Sequence, residues 1–405
     1  MIPFAPPRID QAIIDEVVAT LKSGWITTGP RTKAFEKQLS SYSGCQATLC
    51  LNSATAGLEI MLRWFGVGPG DEVILPAYTY SATANVVIHC GATPVLVDIG
   101  DDFNISPQAI RKAITARTKV VMPVDFGGWP CDYDAIADVV MDEQVKSLFT
   151  PSTDNQRTLG RILILSDAAH SLGATYKGKK AGSLTDVSVF SFHAVKNLTT
   201  AEGGAIALNL PAPFDNEAVY KYLCIFTLHG QNKDALAKMQ KGNWKYDIIE
   251  AGYKCNMTDI SAAIGMVELA RYDSETLLRR KHICELYTSY FSKFSWAQLP
   301  VQQKGDSVSS YHLYPLRVKG VTEQQRDEII KRIFDQDVSV NVHFIPLPML
   351  SFYRNLGYDI SQYPATYSSF AAEISLPVFY DLNDNMVSTV CNSVSSAVES
   401  VLNEK

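Results

Sequence analysis

The sequence predicts an α/β protein: a mostly parallel sheet with helices on both faces, followed by a smaller C-terminal α/β domain. Three observations predict it. Seven short apolar runs recur at 49–51, 73–75, 94–97, 120–124, 162–165, 187–190 and 205–208. Helical patterns alternate with them, as expected of strands buried on both faces and joined by crossover helices. Polar blocks rich in reactive side chains follow two of the runs, where an open α/β sheet keeps its ligands.

After a Pro-rich start, Asp10 is placed to cap a helix whose apolar face is Ile13, Ile14, Val17, Val18 and Leu21, with Gly24 ending it. The run at 49–51 turns through Asn52, Ser53, Ala54, Thr55, Ala56 and Gly57 into a helix beginning near Leu58. Backbone donors at a helix N-terminus, joined by two hydroxyls, suit a phosphate dianion. Ser-Ala-Thr before a helix is by itself more often a plain cap. The glycines at 66, 68 and 70 precede a strand instead of following one, which argues against a dinucleotide loop. Residues 143–160 are polar and turn-rich and predict an exposed connection. A long amphipathic helix from near Thr258, carrying Ala262, Ile264, Met266 and Leu269, bridges to the smaller domain. The expected division is 1–259 and 260–405.

Composition narrows the function classes. The 405 residues are 46% hydrophobic and 19% charged, which suits folded domains with extensive cores rather than disorder or a fibre. A net charge of −6 without a dense Lys/Arg cluster argues against nucleic-acid or membrane-surface binding. A small-molecule partner is expected, with any positive charge for a diphosphate concentrated locally. The eight cysteines form no metal-binding spacing, so no metal is expected, and a reducing cytoplasm fits them best. Cys224 and Cys391, inside apolar runs, read as small buried hydrophobes. No apolar run reaches membrane-spanning length and no secretory leader is evident, which predicts neither export nor membrane insertion.

The most informative pair of segments contains Asp167 and Lys196. Lys196 stands between the strand at 187–190 and a Gly203-Gly204 turn, among hydroxyls, an imidazole and an amide. Desolvation there favours a neutral, nucleophilic amine. A lone lysine of this kind is more often structural. Asp167 supplies the carboxylate that a pyridinium nitrogen requires, although an Asp before Ala-Ala is often a cap or loop anchor. Together the two are far more specific than either alone.

With these residues the chain resembles the DegT/StrS family of nucleotide-sugar aminotransferases, which use pyridoxal 5'-phosphate (PLP) on the fold type I scaffold. Ser23-Gly24-Trp25-Ile26-Thr27-Thr28-Gly29-Pro30 and Gly252-Tyr253-Lys254-Cys255-Asn256-Met257-Thr258-Asp259 match its opening and central signatures. Val342-His343-Phe344-Ile345-Pro346 and Leu376-Pro377-Val378-Phe379 match later blocks, so the resemblance runs nearly end to end. It implies a large domain with a seven-stranded, mostly parallel sheet and a smaller C-terminal α/β domain.

The resemblance also implies roles. Lys196 is the catalytic lysine, holding PLP covalently and later shuttling a proton. Asp167 keeps the pyridine nitrogen protonated, His170 contacts the phenolic oxygen, and Tyr80 stacks on the ring. Ser53, Ala54, Thr55 and Ser191 hold the phosphate, and Asn256 reaches it across a homodimer interface, so that active sites are shared between subunits. His229, Arg279, Arg280 and His343 are substrate candidates. Two departures stand out: Asp125-Phe126-Gly127-Gly128 replaces a segment that often contains His in relatives, and Cys255-Asn256 replaces a commoner aromatic-polar pair.

The implied reaction is transfer of an amino group from glutamate to a nucleotide-linked 4-keto-6-deoxy sugar, UDP-linked and aminated at C4, for surface polysaccharide. Amination at C3 of a dTDP- or GDP-linked keto sugar is an alternative. PLP-dependent sugar dehydration is another, disfavoured because relatives that dehydrate in this way carry histidine where this chain has Lys196. A non-catalytic homologue is disfavoured by the intact Lys196, Asp167, Ser191 and Thr55.

Overall fold

The computed structural model describes residues 1–233 and 245–404. Its strands in chain order are β1 (Ala47–Leu51), β2 (Glu72–Pro76), β3 (Thr93–Val97), β4 (Thr118–Val121), β5 (Leu163–Asp167), β6 (Thr175–Tyr176), β7 (Lys179–Lys180), β8 (Val187–Ser191), β9 (Gly204–Leu208), β10 (Ala297–Gln298), β11 (Gln303–Lys304), β12 (Ser307–Val308), β13 (Tyr314–Val318) and β14 (Glu373–Leu376). The seven expected runs form one seven-stranded sheet ordered β1-β9-β8-β5-β4-β2-β3. The β2–β3, β2–β4, β4–β5 and β5–β8 pairs are parallel, whereas β9 runs antiparallel to both β8 and β1. Val73, Ile74, Leu75, Val120, Leu163, Val187 and Ile206 are buried in its core, which explains why these strands read as continuous apolar runs.

A second core surrounds the three-stranded sheet β10-β13-β14, packed by the helices Leu277–Phe291 and Asp384–Asn403. Asp98, just beyond β3, ties this part to the large sheet. Its carboxylate accepts from the Ala365 and Thr366 N–H groups and the Thr366 hydroxyl. β6, β7, β11 and β12 make a small four-stranded sheet joining the two parts.

Several local expectations change. The helix after β1 begins at Ala54 rather than Leu58, because Ser53 Oγ accepts from Ala56 N–H. Residues 143–160 are not a plain connection. Asp142 and Thr153 cap two short helices, Glu143–Leu148 and Asp154–Leu159, and buried Gln156 donates to Phe65 O. The bridging helix, capped by Thr258, ends at Ala270, and a π-helical turn at Tyr272–Thr276 separates it from Leu277–Phe291. That turn buries Tyr272, whose hydroxyl donates to Leu172 O. Asp10 caps Gln11–Lys22 as expected, but Ile14, Val18 and Leu21 are exposed, so most of this apolar face lies outside the core of the single chain.

All eight cysteines are free; Cys391 is buried and Cys224 half-buried. Among the described residues no helix is long and apolar enough to cross a membrane, and no His/Cys/Asp/Glu group is placed to hold a metal.

Candidate active site

A cavity of about 360 Å³ opens at the C-terminal ends of β1, β2, β5 and β8. Lys196 and Asp167 both line it. The backbone leaving β8 turns so that Lys196 N–H donates to His193 O, while Phe192 and Thr200 close the loop through backbone hydrogen bonds to Gly203 and Phe192. Burial pushes the Lys196 amine down from 10.5 to about 8, and the nearby Asp167 charge only partly offsets it. About a tenth of the amine is then neutral and nucleophilic at pH 7, far more than for an ordinary lysine, and the rest remains charged.

Asp167 ends β5 and is buried. Burial raises its pKa, opposed by the Thr83 hydroxyl at 2.9 Å, the Ala169 N–H at 3.2 Å and the charge of Lys196. Among the described residues no salt bridge reaches it. A buried carboxylate aimed into a cavity without a bonded cation is a ready partner for a positively charged ring nitrogen.

At the other end of the cavity, the N-terminus of the helix Ala54–Phe65 presents Ser53, Ala54 and Thr55 opposite Ser191. Gly204 makes this approach possible: a Cβ there would lie 2.3 Å from Ala54 N. Free N–H groups and hydroxyls at a helix N-terminus form an anion site. Tyr80 lies on the rim, 61% exposed in the single chain.

His170 receives a hydrogen bond at Nδ1 from Gly127 N–H, 3.2 Å away. With Nδ1 accepting, the proton sits on Nε2, and burial holds the ring neutral by lowering its pKa well below the ordinary value. His170 therefore offers an N–H to an oxygen in the cavity. His312 packs against it with ring centroids 4.2 Å apart.

The donor set fits PLP: an amine for its aldehyde, a carboxylate for its ring nitrogen, an N–H for its phenolic oxygen and an anion site for its phosphate. A family model described as the DegT/DnrJ/EryC1/StrS aminotransferase family matches residues 7–149 and 156–395. The chain belongs to this family.

As a DegT/DnrJ/EryC1/StrS member it is a PLP-dependent aminotransferase of the fold type I class. Spr1654 of Streptococcus pneumoniae, a candidate sugar aminotransferase, has a PMP form that is 49% identical with a TM-score of 0.95, covering 99% of this chain and 100% of that one. Its PLP form is 47% identical with a TM-score of 0.94, covering 99% of each chain. The spore coat polysaccharide biosynthesis protein SpsC of Bacillus subtilis is 36% identical over 406 residues, 98% of this chain and 97% of SpsC. MJ1066 of Methanocaldococcus jannaschii, an uncharacterized protein, is 38% identical over 400 residues, 98% of this chain and 97% of that one.

Ser53, Ala54, Thr55, Tyr80, Asp167, His170, Ser191, Lys196 and His343 all line this aminotransferase pocket. Asn256 does not; it lies beside Leu51, donating to Thr28 Oγ1 and accepting from Lys254. His229 is exposed after the helix Asn216–Phe226 and is also outside the pocket lining.

Neither arginine lines this pocket. Arg280 is 5% exposed and spends its guanidinium on Tyr311 O at 2.9 Å and His312 O at 2.7 Å. Arg279 pairs with Asp384 at 2.8 Å and with Leu382 O. Arg280 Nε and Nη2 and both terminal nitrogens of Arg279 thus have partners within the chain.

His312 was not foreseen from sequence. It reaches the pocket because Tyr311 takes a left-handed conformation, Arg280 grips both carbonyls, and Asn197 Oδ1 binds His312 Nδ1 at 2.8 Å. Only Gly127-Gly128 hinted at it: a Cβ on Gly128 would lie 2.2 Å from Ser310 Oγ, so the glycine admits the 309–312 segment.

Proposed function

We propose that this aminotransferase moves the amino group of glutamate to C4 of a UDP-linked 4-keto-6-deoxy sugar used for surface polysaccharide. The observation that carries the reading is the depressed Lys196 amine sharing one cavity with Asp167, His170, Ser191 and the helix N-terminus at Ser53, Ala54 and Thr55. Kinship with SpsC supports the polysaccharide setting.

When bound, PLP supplies the electron sink that makes the substrate carbon acidic. Asp167 would hold negative charge against the ring nitrogen, and His170 Nε2–H would donate to the phenolic oxygen. Ser53, Thr55 and Ser191 fix the phosphate end. Lys196 Nζ would hold the aldehyde end and would carry the proton to and from the substrate carbon.

A homodimer is part of this proposal. Ile14, Val18 and Leu21 form an exposed apolar stripe that a second copy would cover. Asn256, outside its own chain's pocket, would then serve the partner's phosphate. Cytoplasmic residence fits the free cysteines.

Visible absorption of the purified protein tests the reading. Glutamate should convert the PLP spectrum to that of the pyridoxamine form, and one member of a panel of UDP-, dTDP- and GDP-linked keto sugars should reverse it. A glutamate response reversed only by a dTDP- or GDP-linked sugar would replace the proposed acceptor. No glutamate response would sink the donor assignment.

A further inference from the structure

His343 is joined to a buried carboxyl that the transamination chemistry above does not use. Its Nδ1 lies 2.9 Å from Ser375 Oγ, and Ser375 Oγ lies 2.5 Å from Glu373 Oε1. The other carboxylate oxygen, Glu373 Oε2, accepts from the backbone N–H of His343 at 3.1 Å. Glu373 and Ser375 are fully buried on β14, and Phe4 stacks on the imidazole with ring centroids 5.5 Å apart. With Nδ1 turned toward Ser375, Nε2 is the nitrogen left for the cavity that His343 lines.

We propose that Glu373, Ser375 and His343 form a proton relay between a buried carboxyl and the substrate end of the pocket. The chain of hydrogen bonds has two self-consistent states. In one, Glu373 is an anion, Ser375 donates to it, His343 Nδ1–H donates to Ser375, and the Nε2 lone pair faces the cavity. In the other, protonated Glu373 donates to Ser375, Ser375 donates to Nδ1, and Nε2–H faces the cavity. Passage between them is balanced. Running from the second state to the first, Nε2–H passes to the ligand oxygen, the Ser375 proton passes to Nδ1, and the Glu373 Oε1 proton passes to Ser375 Oγ. The imidazole is neutral before and after.

That neutrality is what makes the relay useful. Burial and the charge of Lys196 push His343 down to about 3, so the imidazole alone does not take up a second proton near neutrality. His170 and His312, both buried, share the same cavity. Glu373 is different: burial lifts it to about 8 against the pull of Ser375, the His343 N–H, Arg326 and Arg317, and Tyr78 also faces it. Replacing a carbonyl oxygen by nitrogen expels water, and the departing oxygen needs a proton. Lys196 serves the carbon; His343, backed by Glu373, serves the oxygen.

This inference rests on the proposed function for the identity of the ligand, but the relay has its own readout. Histidine-selective 15N spectra of the whole PLP-loaded protein report which ring nitrogen of His343 carries the proton. From about pH 6 to about pH 10, wild type should switch from Nε2–H to Nδ1–H as Glu373 ionises. Ser375→Ala and Glu373→Gln should each hold one tautomer across that range. Both should lower kcat roughly 10- to 100-fold with little change in KM, and Ser375→Thr should recover much of it. A single tautomer at all pH values in wild type, or wild-type kcat in Ser375→Ala, would overturn the relay. Loss of the glutamate-driven spectral change in wild type would instead overturn the proposed reaction while the tautomer switch stands or falls separately.

Discussion

The two walls of the pocket are built by different means. One carries Ser53, Asp167, Ser191 and Lys196 at or just beyond the ends of β1, β5 and β8, so each side chain is placed by the sheet itself. The other carries His312, His343 and Phe344 on irregular backbone outside the large sheet. Its side chains are aimed by remote partners: Arg280 and Asn197 for His312, and Ser375, Glu373 and Phe4 for His343. A strand end needs only its neighbours in the sheet. An irregular segment needs every polar group around it to be satisfied.

The sharpest test of the sheet-borne wall is Lys196→Ala. It removes nucleophile and proton carrier together, so single-turnover conversion with glutamate, followed by absorbance, should fall by about 10⁴-fold or more. Asp167→Asn should follow, costing on the order of 100-fold because a neutral amide no longer favours a protonated ring nitrogen. PLP should still bind, with an altered spectrum. If Asp167→Asn retained wild-type turnover, this wall would owe its function to something other than charge.

The second wall predicts a different pattern. Arg280→Met keeps bulk but orphans the carbonyls of Tyr311 and His312, each worth about 1–3 kcal/mol when left buried and unpaired. A lower Tm should accompany a kcat loss of roughly 10-fold, because His312 is no longer held. A rise in KM for the nucleotide sugar with Tm unchanged would restore Arg280 as a substrate ligand and break the distinction between the walls.

The same contrast explains what could be read in the sequence. Asp167 and Lys196 follow apolar runs, and the backbone at the end of a strand has few ways to go, so their convergence could be anticipated. Ser53 carries its own signal as a cap. His312 carries none: Ser309-Ser310-Tyr311-His312 has no periodicity, and its position depends on Arg280, 32 residues upstream. Arg280, a diphosphate candidate in the sequence, holds the carbonyls on either side of the turn that aims it. Helix periodicity had a similar limit. The stripe Ile14, Val18 and Leu21 was legible, but whether it faces a core or solvent depends on what packs against it.

The smallest effect concerns the proton affinity of Lys196. Its folded value, about 8, lies below its ordinary 10.5 because burial penalises the charged amine. Below pH 8 the lysine in the apo-protein is mostly charged, and the fold carries the full cost of burying that charge. As pH rises from about 8 toward 10.5, the unfolded chain binds more protons than the folded one, so this group adds stability. Comparing wild-type apo-protein with Lys196→Met by chemical denaturation isolates the contribution: the variant's advantage should shrink across that window. Capture of added PLP by wild-type apo-protein should accelerate about fivefold from pH 7 to pH 8, following the neutral amine, and change less than about twofold above it. Capture that instead levelled off only near pH 10 would mean an ordinary, solvated lysine, and would remove the desolvation on which the sheet-borne wall depends.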